Sequence, residues 1–339
     1  MKALYIRGVR DIAIDDAPEP DPGNDRVPVA IAGVGVCGSD LHYYLEGGIG
    51  SQAIAEPFVP GHEFAARVLE DRADLGLAKG DLVAVDPAMP CGHCEWCHRG
   101  EINLCPNTVF LGAPPHRGAM TERLAVDPAQ IVKVPRDFTV EETMMLEPLG
   151  VAVHALDLGK PRLLETVAVI GCGPIGLLIA GLLKAAGVGE IFAIDPVGYR
   201  REAARDMGAS RIGGDHRAIA AWTEGRGVDL VMEATNVPQG FQIAAEAARI
   251  GGRIVLVGIP EGDSYTLAAG NARRKGLSVK FSRRMGHVYP RAIELVERRM
   301  IDVARIVSHR FPLEQGARAF ELQADCADGA LKSLIVPTA

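Results

Sequence analysis

The sequence lacks any long uninterrupted hydrophobic run, although 48% of its 339 residues are apolar. A helix that crosses a membrane needs about 18 or more apolar residues in a row, so this absence argues against a transmembrane protein. A secretory leader is also missing. The opening residues, MKALYIRGVRDIAIDD, alternate apolar and polar and then turn acidic, which predicts a pair of strands and not a signal peptide.

Basic residues are fewer than acidic ones, 36 against 43, which gives a formal net charge of −7. Proteins that bind nucleic acid or anionic membranes usually carry an excess of Lys and Arg, so the balance argues against both partners. Internal repeats, low-complexity stretches and disordered linkers are absent as well. A chain of 339 residues has room for about two domains with a large core.

Cysteine is scarce outside one short segment, PCGHCEWCHRGEINLC, which holds four of the seven. The spacing Cys-x2-Cys-x2-Cys-x7-Cys lets one loop place four thiolates around a tetrahedral Zn²⁺. Such a shell is closed to substrate and therefore structural. A disulfide-rich surface loop is the alternative, but the odd cysteine total and the missing leader count against it. Cys172 and Cys326 have no evident partner, which suits the reducing cytoplasm. The predicted structural ligands are Cys91, Cys94, Cys97 and Cys105.

The sequence pattern changes in character between residues 145 and 165. Before this point, short strand-like runs such as 27–36 and 82–85 lie between turn-forming segments, which predicts a β-rich, barrel-like domain. Beyond it, strands such as TVAVI at 166–170 and EIFAI at 190–194 alternate with helices, which predicts a doubly wound parallel sheet. The strand-like tail KSLIV would be able to return to the first domain.

A glycine turn follows the strand TVAVI directly and opens the next helix. In a Gly-x-Gly-x-x-Gly turn, the first glycine makes the bend, the second lets a pyrophosphate approach and the third allows close packing of helix on strand. The helix N-terminus stabilises the bound anion. A glycine-rich turn in an ordinary α/β fold is the alternative. The predicted contacts to the dinucleotide are Gly171, Gly173, Pro174, Ile175 and Gly176.

Asp195 stands at the end of the next predicted strand. A carboxylate there accepts hydrogen bonds from a ribose 2′-hydroxyl and repels a 2′-phosphate, which favours NAD over NADP. Asp195 acting as a helix cap is the alternative. Arg200 and Arg201 follow closely, and basic side chains at this place would be able to hold a 2′-phosphate. NAD is the predicted cofactor, with Arg200 among the residues that contact it.

Three further fragments carry metal ligands and polar side chains. They are the segment CGSDLH, the tetrapeptide PGHE and a glutamate at MLEPL. Cys, His and carboxylate ligands with one position left for water form an open, catalytic zinc site. Taken singly, the fragments have ordinary alternatives, such as a core cysteine or a solvated His-Glu turn. The candidate residues are Cys37, Ser39, Asp40, His42, His62, Glu63 and Glu147.

Together these features resemble the zinc-dependent medium-chain dehydrogenase/reductase family over essentially the whole chain. CGSDLHYYLEGGIG and PGHE are most similar to its polyol branch, which contains sorbitol, xylitol and L-idonate dehydrogenases. The resemblance implies a GroES-like catalytic domain at residues 1–149 and 287–339, with the cysteine lobe at about 88–108. It also implies a Rossmann dinucleotide-binding domain at residues 150–286, and a cytoplasmic homodimer or homotetramer.

By the same resemblance, Cys37 and His62 bind a catalytic zinc, which makes two zinc ions per chain with the structural one. Glu63 follows as a ligand in the polyol branch, whereas Glu147 either binds the metal or holds its water. Ser39 and His42 match a hydroxyl and an imidazole that carry the substrate proton to solvent.

Substrate contacts and activity are likewise implied by the resemblance. Tyr43, Phe110 and Arg284 fall where polyol dehydrogenases place pocket residues, although packing or ion-pair roles are open for each. The implied activity is reversible hydride transfer from a secondary hydroxyl of a polyol or sugar acid to NAD. The alternatives are another zinc-dependent alcohol or L-threonine dehydrogenase of the same family, and a non-catalytic regulator that binds NAD and zinc.

Overall fold

The computed structural model describes residues 1–23 and 25–337, which form two compact units. Unit 1 contains Met1–Glu147, Tyr289–Arg298 and the chain from Asp302 onward. Unit 2 contains Pro148–Val288 and Arg299–Ile301. Within the described ranges, none of the helices combines the length and the apolar character that crossing a bilayer requires.

The secondary structure agrees closely with the pattern of the sequence. The strands are β1 (Lys2–Gly8), β2 (Asp11–Asp16), β3 (Val27–Gly35), β4 (Gly48–Ile49), β5 (Gln52–Ala53), β6 (Glu63–Val68), β7 (Leu82–Val85), β8 (Ala88–Met89), β9 (Val109–Phe110), β10 (Arg123–Val126), β11 (Ile131–Lys133), β12 (Thr166–Ile170), β13 (Glu190–Ile194), β14 (Arg211–Gly213), β15 (Val228–Glu233), β16 (Ala248–Leu256), β17 (Ser278–Phe281), β18 (Val307–Pro312) and β19 (Lys332–Val336). The helices are α1 (Gly38–Glu46), α2 (Glu95–His98), α3 (Val140–Met144), α4 (Leu146–Gly159), α5 (Pro174–Ala185), α6 (Gly198–Asp206), α7 (Ala218–Trp222), α8 (Gly240–Ala247), α9 (Ala269–Lys275), α10 (Tyr289–Glu297) and α11 (Gly316–Ala324).

Unit 1 is built on a seven-stranded sheet with the path β11-β7-β6-β3-β19-β18, in which β10 also pairs with β3. Strand β3 alternates buried and half-buried residues over its first half, because one face packs on the core and the other is partly solvated. The C-terminal strand β19 pairs antiparallel with β3, with Leu334 opposite Gly35. The tail therefore adds a strand to this sheet, between β3 and β18.

Unit 2 is a six-stranded sheet in the order β14-β13-β12-β15-β16-β17, and every neighbouring pair is parallel. The strands β12, β13 and β15 are almost entirely buried, as expected where helices cover both faces. This is the doubly wound parallel sheet that the alternating strands and helices predict.

One strand is longer than its sequence indicates. The predicted strand RIVLV begins at Arg253, whereas β16 begins at Ala248 and runs through Gly251 and Gly252. Pairing with β15 shifts register between Val228 and Leu230, so the glycine pair is accommodated as an irregularity within the strand. A Gly-Gly pair by itself predicts a turn. The structure shows that β16 pairs with β15 on both sides of this pair.

Candidate active site

One cluster of potential metal ligands lies at an end of the sheet in unit 1. Cys37, His62 and Glu63 each offer a ligand atom, and these atoms all lie within 4.8 Å of one another. The segments meet because β3 and β6 pair antiparallel, with Gly35 opposite Glu63. Cys37 comes just after β3 and His62 just before β6, so a thiol and an imidazole that are distant in sequence become neighbours.

The local backbone geometry positions both His62 and Cys37. Gly61, directly before His62, has a φ of +95°, and a Cβ there would come within 2.8 Å of two side-chain atoms, so a residue with a side chain would be strained. Cys37 is the residue that caps the N-terminus of helix α1. Its backbone N–H donates a 2.9 Å hydrogen bond to Oδ2 of Asp40 in the first turn of that helix.

His62 is buried among polar groups. Its Nε2 lies 3.4 Å from Oγ of Ser39, and its ring centroid is 5.3 Å from that of Phe110. Its Nδ1 is buried without a hydrogen-bond partner and lies 3.6 Å from Oδ1 of Asp40. Burial lowers the pKa of His62, but the negative charges of Cys37 and Asp40 outweigh burial and leave this pKa well above its ordinary value.

Glu63 is held by a buried lysine that sequence reasoning missed. Nζ of Lys332 lies 2.6 Å from Oε2 of Glu63 and donates a 3.0 Å hydrogen bond to the carbonyl of Val36. Both charged side chains are almost completely buried, at 2% and 1% exposure. The signal that could have revealed the pair is a lysine at the head of the apolar strand KSLIV, since a buried charge needs a partner.

Glu147 interacts electrostatically with this cluster, although it lies outside the group of three ligands within 4.8 Å. The pKa of Glu147 is raised to about 8, and burial is the largest cause. The charges of Glu63 and Asp86 also raise this pKa, whereas those of His62 and Lys332 lower it. A carboxyl group with this pKa is largely protonated at neutral pH unless another positive charge enters the site.

The donor set of the first cluster fits a zinc ion. A thiolate, an imidazole and a carboxylate are ligands that Zn²⁺ accepts, and three protein ligands leave a position for water or substrate. If Nε2 of His62 binds the metal, Nδ1 carries the proton and faces the carboxylate of Asp40, as second-sphere carboxylates commonly do for histidine ligands.

The cysteine lobe forms a separate cluster, and its four cysteines are free thiols within 4.8 Å of one another. The Sγ atoms of Cys94 and Cys97 are 3.5 Å apart, and those of Cys91 and Cys105 are 3.6 Å apart, far beyond a disulfide bond. The backbone N–H of Cys91 donates to Sγ of Cys105 at 3.4 Å, and this contact is the main cause that lowers the pKa of Cys105 to about 6. Four sulfur ligands fit a closed tetrahedral zinc shell.

The glycine turn of unit 2 has the geometry that a bound pyrophosphate requires. Gly171 has a φ of +90°, and a Cβ there would lie 2.6 Å from the carbonyl oxygen of Ala234. A Cβ on Gly176 would lie only 1.9 Å from the carbonyl oxygen of Gly171, whereas one on Gly173 would meet nothing within 4 Å. The first and third glycines therefore serve close packing, and the second borders open space at the N-terminus of α5.

Asp195 directly follows strand β13 and supports the same turn. Its Oδ2 accepts a hydrogen bond from the backbone N–H of Cys172 at 2.8 Å, and its Oδ1 accepts one from Val197 at 2.8 Å. Arg201 donates to the carbonyl of Asp195, whereas Nε of Arg200 is buried without a partner in the described chain. Burial, reinforced by Asp195, raises the pKa of Cys172 to about 12, so this thiol stays neutral.

Two more unpartnered polar atoms lie at the carboxyl end of the parallel sheet, and sequence reasoning missed both. They are Oε2 of Glu233, the last residue of β15, and Oγ of Ser282, directly after β17. Strands β12 and β15 are neighbours at the point where the strand order reverses, which is where doubly wound sheets bind dinucleotides. The open space at Gly173 and the unpaired atoms at this edge fit such a ligand.

The other site residues predicted from the sequence are Tyr43, His42 and Arg284. Tyr43 is buried in the core of unit 1, with its ring in a T-shaped contact 5.1 Å from that of Phe58. His42 is buried and pairs with Glu46 one helical turn later in α1. Arg284 belongs to unit 2 and has a left-handed backbone with φ of +51°.

Sequence models of two protein families match this chain. The alcohol dehydrogenase GroES-like domain matches residues 23–136, and the zinc-binding dehydrogenase domain matches residues 174–298. The first match contains both groups of metal ligands, and the second begins within the glycine turn. The predicted fold class, a doubly wound parallel sheet with a GroES-like β-rich domain, is confirmed.

Characterised relatives cover nearly the whole chain. Sorbitol dehydrogenase of Bacillus subtilis is 34% identical over 99% of this chain and 97% of its own length. L-threonine 3-dehydrogenase of Caldanaerobacter subterraneus is 33% identical over 94% of this chain and 93% of its own length. The crystal structure of L-idonate 5-dehydrogenase from Escherichia coli matches with a TM-score of 0.91 and 28% identity, over 99% of this chain and 97% of the other. The chain therefore belongs to the polyol branch of the zinc-dependent medium-chain dehydrogenase/reductase family and is an NAD-dependent zinc alcohol dehydrogenase.

Proposed function

We propose that this enzyme oxidises a secondary hydroxyl of a polyol or sugar acid, of the sorbitol, xylitol or L-idonate type, and reduces the corresponding ketone in reverse. The observation that carries the proposal is the grouping of Cys37, His62 and Glu63 within 4.8 Å. The resemblance to the polyol branch implies such a carboxylate ligand directly after the histidine. The similarity to a sorbitol dehydrogenase and an L-idonate dehydrogenase supports the same substrate class.

In this proposal Cys37, His62 and Glu63 hold the catalytic zinc, and Glu147 binds it or holds its water. Zinc at this place would supply Lewis-acid stabilisation of negative charge on the substrate oxygen. The nearby Asp40 keeps the ring of His62 oriented, because its carboxylate lies 3.6 Å from Nδ1. The cysteine lobe holds a second, structural zinc.

Proton removal is assigned to the side chains of Ser39 and His42. The hydroxyl of Ser39 lies 3.4 Å from Nε2 of His62, so it borders the place where the substrate oxygen would bind. His42 lies one turn later on α1 and pairs with Glu46, whose side chain is 32% exposed. This pairing gives the imidazole a polar route toward solvent.

In this proposal the two domains have different roles. Residues 1–149 and 287–339 form the catalytic domain, and residues 150–286 bind NAD through the glycine turn, Asp195 and Arg200. NAD bound there supplies the hydride acceptor. Phe110, whose ring borders His62, is a proposed substrate contact, and the resemblance to polyol dehydrogenases adds Tyr43 and Arg284 as further candidates. We also propose a cytoplasmic homodimer or homotetramer.

A substrate panel tests the function directly. The purified enzyme is assayed with NAD and sorbitol, xylitol, L-idonate, galactitol, L-threonine or a simple alcohol, and zinc is measured on the same sample. We expect the highest kcat/KM with a polyol or sugar acid, and two zinc ions per chain. Highest activity with L-threonine would replace the proposed substrate class. One zinc ion and no turnover would instead favour a regulator that binds NAD.

Substitution of Asp195 should change the choice between NAD and NADP. Loss of the negative charge removes repulsion of a 2′-phosphate, so we expect Asp195→Asn to shift the NADP-to-NAD ratio of kcat/KM by roughly 10–100-fold. Both variants should also lower both values of kcat/KM, since Asp195→Asn keeps an acceptor for one of the two backbone hydrogen bonds and Asp195→Ala keeps neither. An unchanged ratio in both variants would show that Asp195 only supports the turn.

A further inference from the structure

Lys332 is the only fully buried Lys or Arg in residues 1–23 and 25–337. It lies at the start of β19, and its ammonium group contacts one ligand of the proposed metal site and the backbone next to another. One is Oε2 of Glu63 at 2.6 Å, and the other is the carbonyl oxygen of Val36, the residue before Cys37. Nothing in the family matches or in the proposed chemistry assigns a role to this lysine.

The C-terminal segment fixes the position of this lysine. Gln323 on α11 donates a 2.7 Å hydrogen bond from Nε2 to the carbonyl of Val36, which Lys332 also contacts. The backbone N–H of Ser333 donates to Oε1 of Gln323 at 2.8 Å, and the backbone N–H of Val36 donates to the carbonyl of Ser333 at 3.0 Å. These contacts form a buried network in which the ammonium group cannot reach water without breaking β19 away from β3.

The groups around Lys332 are mainly acidic. Glu63 pairs with it directly, and Cys37 and Asp40 interact with it electrostatically. Glu147 interacts with it as well. A site that carries this many acidic groups needs a positive charge in the interior, because a buried carboxylate without a partner is strongly unfavourable. Zinc would meet that need when bound, and in the protein alone Lys332 is the cation in direct contact with Glu63.

We propose that Lys332 is the internal counter-charge that keeps the catalytic zinc site folded when zinc is absent. The inference rests on the metal site proposed above. With zinc bound, Glu63 has a second positive partner, so the lysine contributes little to stability. Without zinc, the lysine is the partner that remains for Glu63, and the site stays assembled and ready to bind the metal again.

The experiment compares Lys332→Met with the native enzyme in zinc-loaded and chelator-treated forms. Thermal unfolding is followed by circular dichroism, and zinc is measured before and after treatment. Methionine keeps most of the volume and removes the charge. We expect a small change in Tm for the zinc-loaded variant and an additional loss of roughly 6–10 °C in the metal-free variant, or complete unfolding. The cysteine lobe loses its metal in both proteins, so its contribution cancels in this comparison.

Two further variants make the result specific. Lys275→Met is the matched control, because Lys275 donates three hydrogen bonds to backbone carbonyls of unit 2 and contacts no acidic cluster. It should lower the Tm of both forms equally. Glu63→Gln/Lys332→Met removes both charges, so its metal-free form should be more stable than that of Lys332→Met.

Each other outcome overturns the inference. Equal losses of Tm in the zinc-loaded and metal-free forms of Lys332→Met would show an ordinary structural role, as would failure of the zinc-loaded variant to fold. An unchanged zinc content in Cys37→Ala would remove the proposed catalytic zinc site and the inference together. If Cys37→Ala loses one zinc ion per chain but Lys332→Met loses the same Tm in both forms, only the proposed role of the lysine is overturned.

Discussion

Replacing Cys37 with alanine should reduce kcat/KM by roughly a thousandfold or more while the affinity for NAD stays nearly unchanged. The variant removes one of three potential ligands that lie within 4.8 Å of one another. His62 and Glu63 alone would hold zinc weakly, and Glu63 would remain paired with Lys332. The chemistry would then lose several kcal/mol of charge stabilisation in the transition state. NAD binds to unit 2 in our proposal, so its binding does not depend on this thiol.

Three measurements check this result: steady-state turnover, zinc content per chain and NAD affinity by titration calorimetry. Zinc should fall by one ion per chain, and the NAD dissociation constant should stay within about twofold, which is less than 0.5 kcal/mol. Cys326→Ala is the matched control, because Cys326 is a free thiol outside both ligand groups and should leave all three values unchanged. Full turnover with unchanged zinc in Cys37→Ala would rule out the proposed catalytic site.

The second large effect concerns the second and third glycines of the dinucleotide turn, whose substitutions should affect NAD binding and folding differently. Gly173 has a φ of −70°, which alanine adopts without strain, and a Cβ there meets nothing within 4 Å. Gly173→Ala should therefore fold with the native stability to within about 0.5 kcal/mol. Because the added methyl group occupies the space left for the pyrophosphate, we expect the NAD dissociation constant to rise by roughly 100-fold.

Gly176→Ala should instead damage the fold of unit 2. Its Cβ would lie 1.9 Å from the carbonyl oxygen of Gly171, so the turn and helix α5 must move apart. Overpacking of this kind typically costs about 1–3 kcal/mol or more. Thermal unfolding and NAD titration of both variants separate the two effects. Native NAD affinity in Gly173→Ala would show that the pyrophosphate does not bind at this turn.

Motifs contained in one short segment could be predicted from the sequence because their geometry is local. The cysteine lobe is an example, since its four thiols lie on one loop that returns on itself between β8 and β9. The glycine turn is another, because a buried strand and an apolar helix flank it directly. The alternation of strands and helices likewise sufficed for the fold class, since it determines a parallel sheet.

Contacts between segments that are distant in the sequence could not be predicted from local patterns. The sequence shows Cys37, His62 and Glu63 only as fragments, and the resemblance to a family was needed to connect them. In the structure, the antiparallel pairing of β3 with β6 brings them together, and strand pairing depends on the whole sheet. Glu233 and Ser282 were missed for a similar reason, because only burial reveals that their polar atoms have no partner.

The sequence by itself determined the two-part fold, the cysteine lobe and the dinucleotide turn, because each follows from spacing and hydrophobic pattern within a short stretch of chain. The tertiary structure alone decided the pairing of Lys332 with Glu63, which lie 269 residues apart. That contact exists because β19 pairs with one edge of β3, while β6, the strand that carries Glu63, pairs with the other. A buried lysine is unfavourable until its acidic partner is known, and the partner is specified by the sheet topology and not by any local pattern.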